Sequence, residues 1–475
     1  MRLLHDLAKT RASFDDPNLV SRAGLVPLMA LAARCGLSDL ADEHVRIGRR
    51  AGVSADLKVS CLVAGMAAGA DCIDDMNVLR HGAMGRLFGG VRAPSTLGTF
   101  LRSFTWGNAR QLEAVHRDFL AGLAQAAPLL PGKDVVAFVD IDSQQKRVFG
   151  YRKHGAAFGY AKIGGKSLLV RGLNVLAATI STPLAAPVTA AARLRGGNAA
   201  SARGVVSFIA EAVGTARDAG CSSRLVVRMD SAYYSSAAVW AVCRAGAYFS
   251  VTAQLNASVK AAIAAIGDTA WTPIAYPRAL WDEQLGCWIS DAEVAEVTYT
   301  AFTSHPRGGQ RRRPAPLTAR LIVRRVRDLN TGAPAGQAEL FPVWRYHAVF
   351  TNSPFEMIQA EEQHRGHAII EQVFADLTTG PLAHAPSGKF AANAAWLALA
   401  AIAHNLTRAA GTLASARHAK AKGATIRADL IHVAARIARH GRGHLTMHLP
   451  QAWHRQPEWH NLFQAGCGPP RTRPA

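Results

Sequence analysis

Asp134-Val135-Val136-Ala137-Phe138-Val139-Asp140-Ile141-Asp142-Ser143 is a run of β-branched and aromatic residues closed by acids. Such content predicts a buried strand over 134–141. Side chains alternate along a strand, so Val136, Phe138, Asp140 and Asp142 share one face. A carboxylate there costs several kcal/mol unless it is paired, hydrogen-bonded or metal-bound. The pattern recurs in Arg224-Leu225-Val226-Val227-Arg228-Met229-Asp230-Ser231, where Val226, Arg228 and Asp230 share a face. Both strands deliver acids near their carboxyl ends, where open α/β sheets place their sites. Ser143 and Ser231 are suited to cap the next turn or to bond the carboxylates. One Asp after a strand is an ordinary turn former; two Asp-Ser pairs leave both readings open, turn formation and a shared acidic site.

Outward from these strands the patterns change twice. Residues 1–130 are predicted helical: Gly24 to Ile47 with Gly36 as a turn, Leu57 to Gly69, a helix starting near Pro94 with Ser95 or Thr96 as cap, and Trp106 to Ala127. In a basic chain, helix–Gly–helix fits a helix-turn-helix as well as a plain bundle. After Pro131-Gly132-Lys133 come the first acidic strand and strand-like stretches at Arg147–Arg152 and Ser167–Ile180. A helix from Ala199 to Ala219, the strand Arg224–Met229, a helix from Ser235 to Ala245 and a strand from Tyr248 to Ala253 follow. This order is an α/β layer arrangement. Residues 255–350 read as a mostly β insertion, with strands at Glu293–Phe302, Leu317–Arg325 and Trp344–Thr351 and a loop carrying Arg311, Arg312 and Arg313. Helices resume at Phe355. Ile369, Ile370, Val373, Phe374 and Leu377 make a buried stripe beside Glu371, with His364 and His367 upstream. A His-x-x-His-x-x-x-Glu zinc set is conceivable there, though zinc sites bring clearer ligand sets.

The 475 residues are 49% hydrophobic, which supports large cores and excludes a disordered chain. Lys plus Arg total 54 against 33 acids, a net charge of +21 that makes nucleic acid the expected partner. The start lacks the long apolar core of a signal peptide. The apolar run from Ala391 to Ala403 is too short and too polar-flanked to span a membrane and predicts a buried helix. Seven scattered cysteines without a Cys-x-x-Cys pair fit reduced, packed thiols. The expectation is a soluble, cytoplasmic protein.

Five stretches, in order over residues 135–410, carry a resemblance: Val139-Asp140-Ile141-Asp142-Ser143, Leu194-Arg195-Gly196-Gly197-Asn198, Val227 to Ser235, His364 to Glu371, and Asn393-Ala394-Ala395-Trp396-Leu397 through His404-Asn405-Leu406. Together they resemble DDE-type bacterial insertion-sequence transposases, close to insertion-sequence family thirteen-eighty. The resemblance implies a ribonuclease-H-like catalytic core with the β insertion between the second Asp and the Glu, plus an N-terminal helical domain. It divides the chain into a helical DNA-binding domain (1–130), the first part of the core (131–254), the insertion (255–350), the rest of the core with the Glu helix (351–410) and a basic C-terminal segment (411–475).

The resemblance further implies Asp142, Asp230 and Glu371 as catalytic metal ligands, holding Mg²⁺ with Mn²⁺ able to substitute. Asp140 competes with Asp142 as first acid; the Asp-Ser pair favours Asp142. Arg228, Arg365 and Arg311–Arg313 are the expected DNA contacts. Position 378, where relatives often carry a Lys after the Glu, is Thr, which leaves the auxiliary cation to another residue such as Arg365. The implied activity is cleavage of double-stranded transposon ends and joining of the 3′-hydroxyl to target DNA, by a homodimer synapsed on DNA in the bacterial nucleoid. A metal-dependent nuclease of the same fold and a non-catalytic DNA-binding relic are the alternatives.

Overall fold

The computed structural model describes residues 4–48, 50–163, 166–277, 279–284, 286–289, 291–303, 315–327 and 343–468. A short strand, β1 (Leu19–Val20), precedes α1 (Leu25–Arg34), α2 (Leu37–His44), α3 (Ala55–Ala67), α4 (Met84–Leu87), α5 (Pro94–Arg102) and α6 (Trp106–Ala126). Gly36, at φ +80°, makes the turn between α1 and α2. Neither Ser95 nor Thr96 caps α5. Pro94 occupies its first turn, where a fixed φ and a missing N–H cost nothing. Thr105 caps α6 in a reciprocal pair with Asn108.

The sheet is built around β2 (Val136–Arg147), with β3 (Ala157–Ile163), β4 (Lys166–Thr182), β5 (Ala185–Arg195), β6 (Arg224–Met229) and β7 (Tyr248–Thr252). β2 is antiparallel to β4 on one side and parallel to β6 on the other. β5 flanks β4, and β7 runs parallel to β6. Helices α7 (Val205–Asp218) and α8 (Ser236–Arg244) connect these strands. In register, Asp140 faces Arg228 and Ile141 faces Met229. The next residues, Asp142 still within β2 opposite Ala177 of β4 and Asp230 just past the end of β6, therefore follow the last paired positions of these two strands.

Several stretches differ from expectation, beginning with β2, which continues past the expected end at residue 141 to Arg147 because it pairs with β4 over that length. Only Arg147 of Arg147–Arg152 is in a strand; Gly150 and Gly155, at φ +88° and +80°, turn the chain there. β5 was not anticipated, because Ala185-Ala186-Pro187-Val188-Thr189-Ala190-Ala191-Ala192 is poor in strand formers, and pairing with β4 in the core decides its state.

The helix expected from Ala199 starts at Val205. The buried Arg195 holds residues 196–204 as a loop. It donates to Asn174 Oδ1 at 2.9 and 2.6 Å and to the carbonyls of Ala200, Ser201 and Arg203. A Cβ on Gly197 would lie 2.1 Å from the Gly172 oxygen and 2.5 Å from that of Ala157. Gly197→Ala is therefore expected to cost about 1–3 kcal/mol or more by forcing two strands apart. Urea titration checks this: the midpoint should fall at constant slope.

The 255–350 segment extends this sheet. After α9 (Ala257–Ala264) and β8 (Thr272–Pro273), β9 (Leu280–Asp282) and β10 (Cys287–Ile289) make a separate ribbon. Strands β11 (Ala292–Ala301), β12 (Leu317–Arg327) and β13 (Trp344–Thr351) form an antiparallel set. β13 pairs with β7, Val349 opposite Thr252, so the set continues the central sheet.

Helices α10 (Met357–Arg365), α11 (Ile370–Thr378) and α12 (Phe390–Ala414) follow, then α13 (Ala416–Lys420), α14 (Gly423–Ile426), β14 (Ala435–Arg439), β15 (Leu445–His448) and α15 (Gln456–Cys467). α12 is buried on all sides, as the apolar run predicted, and packs on α3, α6, β5 and α15. No described helix is long and apolar enough to cross a membrane. β1 pairs with β14 and α1 packs on α15, so the helices before residue 130 share one continuous core with the C-terminal segment.

Candidate active site

Asp140 is completely buried, and its charge is answered on the spot. Arg228 Nε and Nη2 donate to its two oxygens at 2.6 and 2.7 Å, and His367 Nδ1 lies 2.9 Å from Oδ1. Burial pushes the carboxyl up, but the Arg228 charge and the His367 hydrogen bond outweigh it and hold Asp140 below the usual carboxylate range. Arg228 also stacks on Phe138 and donates to the Gln363 carbonyl at the end of α10. A Cβ at Gly366 would meet Arg228 Nη1 at 2.7 Å, so the chain passes close over the guanidinium. Between α10 and α11 residues 366–369 tighten into a 3-10 turn. The Asp140–Arg228–His367 group thus ties the start of α11 to the central strands.

Asp142 is half-buried and its Oδ1 accepts from the Ser143 N–H at 2.6 Å. Asp230, also half-buried, caps the turn at Ser231–Tyr233 by accepting from Ala232 N at 3.0 Å. Tyr233, in that turn, is buried. Burial first, then the charges of Asp142 and Asp230, raises its hydroxyl pKa. Glu371 sits exposed in the first turn of α11, whose stripe of Ile370, Val373, Phe374 and Leu377 is buried; α11 packs against β2, β4 and β5. Neither Asp230 nor Glu371 forms an ion pair among the described residues. The three carboxylates do not share a single-ion cage: the described group of acids, Cys or His with ligand atoms all within 4.8 Å is Asp71, Cys72 and Asp75. Two ions about 3.5–4 Å apart need a wider ligand set than one ion. As hard oxygen donors, Asp142, Asp230 and Glu371 suit Mg²⁺ or Mn²⁺.

The other candidates are placed differently. Arg228 is buried, with Nε and Nη2 on Asp140 and Nη1 on the Gln363 carbonyl, and so is not placed to meet a phosphate. Arg365 is half-buried and donates to Glu361 at 2.9 Å. Arg311, Arg312 and Arg313 lie outside the described residues. The zinc alternative loses its histidines: the His364 nitrogens are 2.9 Å from Ser250 Oγ and Thr252 Oγ1, and His367 serves Asp140. Burial drives the His364 pKa down to about 3, so its ring stays neutral. The positioning role of His367 was missed in the sequence. Its one signal was Asp140 and Arg228 at matching positions of two like strands.

The family model for the transposase DDE domain group 1 matches residues 4–465. Comparison with curated proteins finds no match. Among solved structures, a piggyBac transposase synaptic complex with hairpin DNA, determined by cryo-electron microscopy, is similar at 9% identity and a TM-score of 0.40. That match covers 85% of this chain and 79% of the other, a likeness too slight to bear on the site. With acids delivered side by side from two parallel strands, a third on a helix tied to them, and a family match over nearly its whole length, the chain belongs to the DDE transposases of domain group 1.

Proposed function

We propose that this DNA transposase is of the insertion-sequence thirteen-eighty type. On this reading it cleaves the ends of its element and joins their 3′-hydroxyls to target DNA on a ribonuclease-H-like core. One observation carries the reading: Asp142 and Asp230 emerge together from paired parallel strands, while the neighbouring Asp140 is neutralised by Arg228 and fixes the Glu371 helix. Asp142, Asp230 and Glu371 would hold the divalent ions. Bound there, such ions supply Lewis-acid activation of a water or 3′-hydroxyl and stabilise the departing oxygen. The protein's part is to keep the three carboxylates oriented. The Ser143 and Ala232 amides fix one oxygen of each Asp, and Asp140, Arg228 and His367 fix the helix.

Duplex DNA, as element ends and as target, is the proposed substrate. The working form is a homodimer on paired ends, in the bacterial cytoplasm and nucleoid. The helices before residue 130 are proposed to read the ends, and basic residues, with Arg311–Arg313 among the sequence's candidates, to track phosphates. Binding should weaken steeply with salt, the log–log slope following the phosphates neutralised; a flat response in a salt titration would contradict a backbone-dominated interface.

The deciding assay mixes the full chain, Mg²⁺, labelled element ends and supercoiled plasmid. Labelled ends covalently joined to plasmid support transposition. Cut ends that are never joined indicate a nuclease, and intact ends a DNA-binding relic.

A further inference from the structure

A cleft of about 410 Å³ opens beside Glu371, between α11 and the turn joining α13 to α14. Glu371, Gln372 and Asp376 of α11 line it together with Lys420, Lys422 and Arg408. The turn is built rather than loose. The Arg408 guanidinium, from the buried helix α12, donates to the carbonyls of Ala419 and Ala421. The half-buried Asp376 accepts from Gly423 N at 3.1 Å, and a Cβ at Gly423 would rest against its carboxylate. Two internal groups thus pin residues 419–423 from both ends. Lys420 and Lys422 are exposed, and neither makes an ion pair among the described residues. Lys422 acts electrostatically on Asp376, but exposed charges contribute little to folding and Lys420 adds a second cation to the turn, so the turn's positive charge is answered only in part from within. A polyanion crossing the cleft would answer both charges.

We propose that Lys420 and Lys422 form a phosphate-binding wall that holds the sugar–phosphate backbone of the DNA strand passing Glu371. This rests on the functional reading above. Lys is a point-charge donor, without the fork geometry that reads base edges, so the contact is independent of sequence. The wall belongs to the C-terminal segment, yet it stands next to the helix that carries the third acid. The cleft is open at its surface, as a continuous strand requires.

The test uses the full chain and a duplex of arbitrary sequence, with binding followed by fluorescence anisotropy across a salt series. Lys420→Gln/Lys422→Gln should flatten the log–log slope by roughly 1.8, two phosphates at about 0.9 each, and weaken binding roughly sixtyfold near 0.1 M salt relative to its effect at about 1 M. Lys420→Arg/Lys422→Arg should restore both values. Lys260→Gln, which removes an exposed cation of α9 that does not line the cleft, should leave the slope unchanged. If the 420/422 pair alters the slope no more than this control while the wild type binds, the wall is refuted and the functional reading stands. Wild-type protein that binds no DNA would overturn both. Inorganic phosphate at matched ionic strength should not erase the difference between wild type and variant; if it does, the cleft takes free phosphate and the backbone assignment fails.

Discussion

Asp142→Asn, Asp230→Asn and Glu371→Gln should each reduce cleavage of element ends by about a thousandfold or more while leaving DNA binding nearly intact. The amide keeps the shape of the side chain but lacks the charge that retains a hard cation, and several kcal/mol of transition-state stabilisation go with it. Binding survives because phosphate contacts come from cations elsewhere. Gel analysis of end cleavage in Mg²⁺, beside a binding titration, separates the two effects. Full cleavage by any of the three removes that residue from the site. Asp140→Asn provides the internal contrast. It leaves Asp142 in place and should lose activity together with thermal stability, through a displaced Glu371 helix. If Asp140→Asn were stable but inactive and Asp142→Asn active, the two acids would have exchanged roles.

The second large effect is on stability. Arg228→Met leaves Asp140 buried without its guanidinium, and breaking such a pair costs about 3–5 kcal/mol. Changing both partners, Asp140→Leu with Arg228→Met, should recover much of that loss, because no charge is then stranded. The pH dependence follows from the sign of the shift. The folded-state pKa of Asp140 is depressed, so its stabilisation is full above the unfolded value near 3.9 and is lost as pH falls through the folded value. The penalty for Arg228→Met should therefore be largest near neutrality and shrink in acid. Chemical denaturation of wild type and variant over a pH series measures it; an equal penalty at all pH values would contradict a charged Asp140.

Much of the layout of the candidate site is legible in the sequence because its acids break a local rule. Acids at the ends of apolar strands are costly, so Asp142 and Asp230 stood out against Val136, Phe138 and Val226. The helical stripe around Glu371 was visible through its period. The distinction between Asp140 and Asp142 was not, since both occupy one face and only the parallel pairing of β2 with β6 sets Arg228 against Asp140. For the same reason Arg228 looked like a DNA contact: a basic residue near an acid reads alike whether it faces solvent or a buried partner. β5 escaped notice because its alanines have no strong preference of their own. The loop at 196–204 looked helical until Arg195 was seen to occupy its carbonyls. The helices before residue 130 were recognisable one by one. Their packing on α12 and α15 involves partners such as His116 with Asn405 and Arg34 with Ala465, 289 and 431 residues apart, which no local pattern records.

The central claim is that Asp142, Asp230 and Glu371 hold the divalent ions. Crystals of the full chain bound to an end duplex, grown with Mn²⁺ and measured for anomalous scattering, test it most directly. The account predicts manganese peaks bounded by these three carboxylates and none at Asp140. Manganese confined to Asp71, Cys72 and Asp75, or ligated by Asp140 in place of Asp142, would contradict it.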